Sequence, residues 1–177
     1  MESTLAQFDV AIIGAGLPGA SLACALARSG MHVALIEANP VITGIPRQMD
    51  HDWDTRVFAI TPANQEFLTS LNAWPEQGLQ RDQPVFSMLI RGDQAGASLE
   101  FSAYQAGVER LTTIVEARIL SGALGARLSE LERIELFAPA QFNALSMNSN
   151  GCDIQLADGR TITAKLVVGA DGARSRL

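Results

Sequence analysis

The apolar positions at the start of the chain fall into two rhythms. Phe8 to Ile13 (FDVAII) is short, rich in Val and Ile and almost unbroken, the pattern of a strand buried on both faces. Leu17 to Ser29 follows with Ala20, Ala23, Ala25 and Ala27, which favour a helix, and Gly30 stands where a helix end takes positive φ. His32 to Glu37 (HVALIE) reads as a second buried strand. Parallel strands of this kind are joined by a right-handed crossover, so the opening predicts one βαβ unit.

Thr61-Pro62 predicts a helix start, with Thr as N-cap and Pro at the first helical position, and Phe67, Leu68 and Leu71 as the apolar face. Val85 to Ile90 and Ser98 to Phe101 suggest a hairpin about the Gly92-to-Gly96 turn. From Glu116 to Leu131 the positions Ile119, Leu120, Ala123, Leu124, Leu128 and Leu131 recur at helical spacing. Gly122 and Gly125 each weaken that helix by about 1 kcal/mol unless a neighbour packs closely there. The rest reads as strands: Ile134 to Phe137, Phe142 to Met147, Cys152 to Leu156, Thr161 to Ala164 and Leu166 to Val168. Asn148 to Gly151 is a turn, and Asp158-Gly159 predicts a type I′ hairpin. The chain thus begins and ends in parallel-sheet strands, with an antiparallel meander between them.

Composition narrows the function classes. The 177 residues carry 13 Lys+Arg against 19 Asp+Glu, a net charge of −6 that argues against a general nucleic-acid binder. Hydrophobic residues make up 47%, enough for a packed core rather than a disordered chain. The longest apolar stretch, Val10 to Ala27, is broken by Gly14, Gly16, Pro18 and Gly19, so the expectation is neither membrane helix nor signal peptide but a cytoplasmic chain. Cys24 and Cys152 are too few for a disulfide framework or zinc site, and a buried thiol is the plain reading of Cys24. Asp50-His51-Asp52-Trp53-Asp54 offers carboxylates and an imidazole, but alternating acids in a polar loop read as solvated, so no metal is expected. Ser175 has no histidine at a recognisable nucleophile elbow.

Gly14-Ala15-Gly16-Leu17-Pro18-Gly19 matches G-x-G-x-x-G between a strand and a helix. Gly14 permits the tight turn, Gly16 lets backbone approach a pyrophosphate, and Gly19 lets the helix pack closely on the strand. Glu37, 21 residues after Gly16, ends the second strand where it can accept hydrogen bonds from a ribose diol and repel a 2′-phosphate. Dinucleotide binding follows, but these features do not separate FAD from NAD.

Other segments carry a resemblance. Asp54 to Thr61 (DTRVFAIT) resembles the D-x-R-x-x-A-[LI]-[ST] segment of the ubiquinone-biosynthesis flavin hydroxylases. Leu166 to Ser175 (LVVGADGARS) resembles the D-G motif of flavin-dependent aromatic hydroxylases of the p-hydroxybenzoate hydroxylase type. Leu71 to Pro75 and Ile114-Val115-Glu116 also fall at family-like positions, so the resemblance spans essentially all 177 residues. It implies that Gly14, Gly16, Gly19 and Glu37 hold the ADP half of FAD and that Arg56 reaches the flavin side. It places Asp171 and Gly172 beside the pyrophosphate, with a part in handling the reduced nicotinamide. The implied reaction is hydroxylation of an aromatic ring, in this family a polyprenyl phenol, by O₂ with NAD(P)H as transient reductant. Association with other ubiquinone-biosynthesis enzymes and peripheral contact with the inner membrane come with it.

No side chain here is an evident acid, base or nucleophile for that reaction, so no catalytic residue is expected. Ala38 and Asn39 stand where family members often carry a basic residue, and Ala117 where they often carry Asn. Arg118 beside it reads as a helix-surface arginine. The family's D-G motif continues to an arginine that is due where this chain stops at Leu177, and a later Gly-Asp motif is absent. The expectation is therefore an α/β chain with a Rossmann-like FAD-binding βαβ unit, a parallel sheet and an inserted antiparallel meander, truncated. Residues 1–177 would form an incomplete FAD-binding domain, inactive alone, with 85–102 the start of the substrate-binding β region. Two rivals are an NAD-dependent dehydrogenase, which leaves the D-T-R and G-A-D-G segments unexplained, and a non-catalytic FAD-binding or scaffold fragment.

Overall fold

β1 (Gln7–Ile13), α1 (Leu17–Arg28) and β2 (Val33–Ile36) form the βαβ unit that the apolar pattern predicts. They open a computed structural model that describes residues 7–44, 53–75, 81–94, 96–149, 151–175 and 177. In chain order there follow β3 (Val57–Ile60), α2 (Pro62–Ser70), β4 (Asp82–Val85), β5 (Ser87–Arg91), β6 (Ser98–Ser102) and the one-turn α3 (Ala103–Ala106). β7 (Thr112–Glu116), α4 (Ala117–Glu130), β8 (Ile134–Phe137), β9 (Phe142–Asn148), β10 (Gly151–Leu156) and β11 (Thr161–Gly169) complete it. The chain divides into two units, residues 1–45 with 121–177 and residues 46–120.

The first unit is built on a six-stranded sheet in the order β8-β2-β1-β11-β10-β9. The four strands from β8 to β11 are parallel, and β10 and β9 continue the sheet antiparallel. Ala11, Ile13, Ala34 and Ile36 join Phe137, Ile154 and Ile162 in one buried cluster. The alternate residues Val10, Ile12, Val33 and Leu35 are buried as well, which is why both strands read as unbroken apolar runs. α1 packs on β1, β2 and β8, and its buried positions are all small: Gly19, Ala20, Ser21, Ala23, Cys24 and Ala27. Cys24 is fully buried, and that burial pushes its thiol up to about 11, an inert core group.

Two readings from the sequence change in this unit. Thr161–Ala164 and Leu166–Val168 are not separate strands but one, β11, whose first half pairs antiparallel with β10 while Thr163 to Gly169 runs parallel to β1. Only Gly159 of the Asp158-Gly159 pair has positive φ, at +88°, so the hairpin is not type I′. Gly159 N–H bonds Leu156 O and Leu156 N–H bonds Arg160 O, the pattern of a turn closed by a left-handed glycine. Gln141 O, just before β9, accepts from Ala157 N–H and also steadies that turn.

The second unit holds the three-stranded antiparallel sheet β3-β7-β4 and the two-stranded sheet β5-β6. The predicted hairpin is present, but its first strand breaks at Phe86: Val85 belongs to β4 and pairs with Thr112 of β7. β3, β4 and β7 were not legible as strands from local pattern. Thr61 caps α2 as expected, its Oγ1 accepting from Asn64 N–H at 3.4 Å. Leu68 and Leu71 are buried, whereas Phe67 remains exposed.

Candidate functional site

The two glycine-bearing motifs of the first unit meet because the sheet puts their strands side by side. Ile13 is the register partner of Gly169, and Ala170 N–H donates to Ile13 O at 2.7 Å. The turn after β1 and the Gly169–Gly172 segment therefore leave the sheet together. Gly14 has φ +104°, and its N–H donates to Ile36 O at 2.8 Å, which ties the turn to the end of β2. A Cβ on Gly14 would lie 2.4 Å from Ala170 O and 2.8 Å from Asp171 N. On Gly19 it would lie 1.9 Å from Gly14 O. Backbone touches backbone at both places, so no side chain fits.

Gly16 caps α1 in an extended conformation and contributes no side-chain hydrogen bond, and Pro18 lies in the first turn. The 12-residue helix thus presents first-turn N–H groups and the positive end of its dipole with no protein anion in the first turn. Glu37 stands at the neighbouring strand end. Its Oε2 accepts from Ala15 N–H at 2.9 Å, and its Oε1 accepts from Asn39 N–H at 3.0 Å and Asn39 Nδ2 at 3.2 Å. Asn39 thereby orients the acid. Glu37 lies in the same unit as Asp171 and Gly172, of which Gly172 takes φ +81°.

Ala15, Gly16 and Glu37 border a cleft of about 180 Å³ whose wall also includes Val41, Ile42, Leu124 and Leu128. Backbone donors, one carboxylate and an apolar wall together suit a phosphate, a ribose diol and a flat ring. Gly125 of α4 is explained by this wall. A Cβ on Gly125 would lie 1.8 Å from Ile42 O, and Gly44 N–H donates to Gly122 O at 3.1 Å. Gly125→Ala is expected to cost about 1–3 kcal/mol as the chain at Ile42 is pushed off the helix, read as a lower thermal midpoint.

Arg56 belongs to the second unit. Its guanidinium is exposed and lies over the Phe58 ring, 5.2 Å from the centroid. Asp54 meets the Arg56 backbone instead of its side chain: Oδ1 accepts from Arg56 N–H at 2.9 Å, and Oδ2 accepts from Arg118 N–H at 3.0 Å. Those two N–H donors hold the Asp54 carboxyl below its ordinary range.

Arg118 is not the simple helix-surface arginine that its position suggests. Its Nε donates to Glu116 Oε2 at 2.9 Å. Glu116 also accepts from Arg81 Nη1 and from Asp54 N–H. Burial pushes the Glu116 carboxyl up, but the Asp54 N–H and the two arginines outweigh it and hold the group below its ordinary value. The sequence marked Glu116 only as part of a family-like stretch, and nothing local linked it to Arg81. Of the acidic run considered for metal, 50–52 lie outside the described residues. Among the described residues no group of three His, Cys, Asp or Glu side chains is placed to hold a metal ion.

Comparison with known proteins agrees with this geometry. Residues 12–71 match the family model of the NAD(P)-binding Rossmann-like domain. The chain is 36% identical over 170 residues to ubiquinone hydroxylase UbiL of Rhodospirillum rubrum, covering 96% of this chain and 38% of that protein. It is 32% identical to 3-demethoxyubiquinol 3-hydroxylase of Escherichia coli, covering 96% of this chain and 42% of the relative. Among solved structures it superposes on p-nitrophenol 4-monooxygenase of Pseudomonas putida with a TM-score of 0.71 at 18% identity, over 97% of this chain and 43% of that one. That likeness establishes the fold, with a Rossmann-like α/β architecture. The chain spans about two fifths of the length of these curated relatives, and over nearly all of its own length it is similar to ubiquinone-biosynthesis hydroxylases.

Proposed function

We propose that this chain is the FAD-binding part of a flavin-dependent aromatic-ring monooxygenase that hydroxylates a polyprenyl phenol in ubiquinone biosynthesis, with O₂ and NAD(P)H. The observation that carries the reading is the backbone contact between the glycine turn and the Asp171 segment, two motifs that a dehydrogenase fingerprint alone would not unite. The site fits the cofactor's phosphates at Gly16, where an added Cβ would meet nothing nearer than Pro18 Cδ at 3.9 Å, while Gly14 and Gly19 close the turn by backbone packing.

In this reading Gly14, Gly16 and Gly19 admit the pyrophosphate to the N-terminus of α1, and Glu37 accepts from the ribose hydroxyls. Asp171 and Gly172 lie beside the pyrophosphate, and Arg56 serves the flavin side, where a guanidinium can donate two parallel hydrogen bonds. When bound, FAD supplies the redox and oxygen chemistry, and the residues of this chain bind it, orient it and keep water from it. Residues 1–177 form an incomplete FAD-binding domain in this account, with 85–102 the start of the substrate-binding β region. Contact with other enzymes of the pathway, or with the surface of the inner membrane, belongs to the same proposal. No helix among the described residues is long and apolar enough to cross a membrane.

Thermal unfolding with FAD, and with NAD⁺ as the matched competitor, tests the reading. A ligand that binds only the folded state adds about 2.7 kcal/mol at a hundredfold excess over Kd. FAD is expected to raise the midpoint, NAD⁺ to leave it unmatched, and Glu37→Arg to abolish the FAD shift. Stabilisation by NAD⁺ alone would sink the flavin reading in favour of a dehydrogenase.

A further inference from the structure

Glu116 ends β7 with only 2% of its surface exposed, and the function proposed above gives it no part. Its carboxylate takes three donors: Arg81 Nη1 at 3.0 Å on Oε1, and Arg118 Nε and Asp54 N–H, both at 2.9 Å, on Oε2. The Arg81 guanidinium in turn lies 4.2 Å from the centre of the Trp53 ring. Asp54 is thus held directly by the buried anion, and Trp53 before it lies against one of that anion's arginines.

The effect converges on Arg56. Its N–H is taken by Asp54 Oδ1, and its carbonyl accepts Ala117 N–H at 2.9 Å, directly after Glu116 in the chain. Both backbone polar groups of Arg56 are therefore fixed by the two carboxylates' own segments. Its side chain is left exposed over Phe58. A buried ion pair is poor evidence for stability as such, because desolvation offsets much of the attraction. Here the chain of bonds also reaches backbone on either side of Arg56, from Asp54 N–H to Glu116 and from Arg56 N–H to Asp54, which points to direction rather than to bulk stabilisation.

We propose that Glu116 is a positioning residue for cofactor binding, acting with Asp54 to hold the backbone at Arg56 so that its guanidinium is offered in one direction. The inference rests on the FAD reading and deepens it, since Arg56 is there the group that meets the flavin side. It makes a distinction that simple destabilisation does not. ADP carries only the half assigned to the glycine turn, so it does not depend on the turn that Glu116 holds.

The test is the affinity of the full 177-residue chain for FAD and for ADP, by titration calorimetry. Glu116→Gln is expected to weaken FAD about tenfold, the scale of one charge-assisted hydrogen bond, and to leave ADP unchanged. Asp54→Asn, in a partly exposed loop, releases the same backbone without emptying a buried site and is expected to follow the same pattern. In an Arg56→Ala background neither substitution is expected to weaken FAD further. Equal losses for FAD and ADP, full additivity with Arg56→Ala, or unchanged FAD affinity in both variants would each overturn the proposal. If the parent chain binds no FAD, the reading of the site fails and the positioning role with it. If Arg56→Ala weakens FAD while Glu116→Gln and Asp54→Asn do not, the positioning role alone fails.

Discussion

Gly19→Ala is expected to lower the thermal midpoint of the free chain by several degrees and to remove its stabilisation by FAD altogether. The added Cβ would sit 1.9 Å from Gly14 O and 3.1 Å from the Ala170 Cβ, so the first of these contacts is with backbone and has no rotamer to yield. α1 must move off the turn, or the turn must move off the sheet. Overpacking of this kind costs about 1–3 kcal/mol, which in a chain of this size is a shift of about 2–4 °C per kcal/mol. Gly16→Ala is the matched comparison. Gly16 has φ −63°, and its nearest neighbour to an added Cβ is the Pro18 Cδ at 3.9 Å, so the free chain should melt within about 1 kcal/mol of the parent. Its methyl would stand at the glycine assigned to close phosphate approach, and FAD affinity should fall nonetheless. Stability lost at Gly19 and affinity lost at Gly16 would separate packing from recognition within one six-residue motif. Equal melting of both variants with the parent would contradict the account of the cradle.

Glu116→Ala is expected to have a still larger effect, about 3–5 kcal/mol, because it removes the buried carboxylate on which Arg81 Nη1, Arg118 Nε and Asp54 N–H all converge. The side chains of Arg81 and Glu116 are 9% and 3% exposed, so solvent does little to replace the lost partner. The same pair gives the protein an acid limit. The folded Glu116 carboxyl lies below its ordinary value of 4.5, so the unfolded chain takes up the proton first. The stability it contributes is full above that ordinary value and is lost as pH falls through the lower folded value. Denaturant unfolding from neutral pH into acid should show the parent losing stability below about pH 4.5, with Glu116→Gln less stable at neutral pH and flatter over the same range. A parallel loss in both proteins would show that Glu116 is not the group that titrates.

Sequence alone determined the parts of this protein that are local. Strand, glycine turn and helix follow one another within 25 residues at the start of the chain, and each is set by its own pattern: an unbroken Val/Ile run, glycines at fixed offsets, then alanines. Glu37 is legible for the same reason, since one helix and one strand fix its distance from Gly16. Thr61 and Pro62 mark a helix start by their own chemistry, and Gly125 announces a close contact without naming the partner, which proved to be Ile42 O. What the tertiary structure alone decided is pairing. β11 gains its meaning from two different neighbours, and only the sheet makes Thr161 to Gly169 one strand and carries Asp171 to the glycine turn. Arg81 and Glu116 are 35 residues apart, and no spacing rule joins them. β3, β4 and β7 likewise escape a local reading, because Val57 and Val85 sit in short strands whose partners lie far along the chain. Hydrogen bonds between distant strands and the burial of charge depend on which segments meet, and a one-dimensional pattern records only the propensity of each segment to be met.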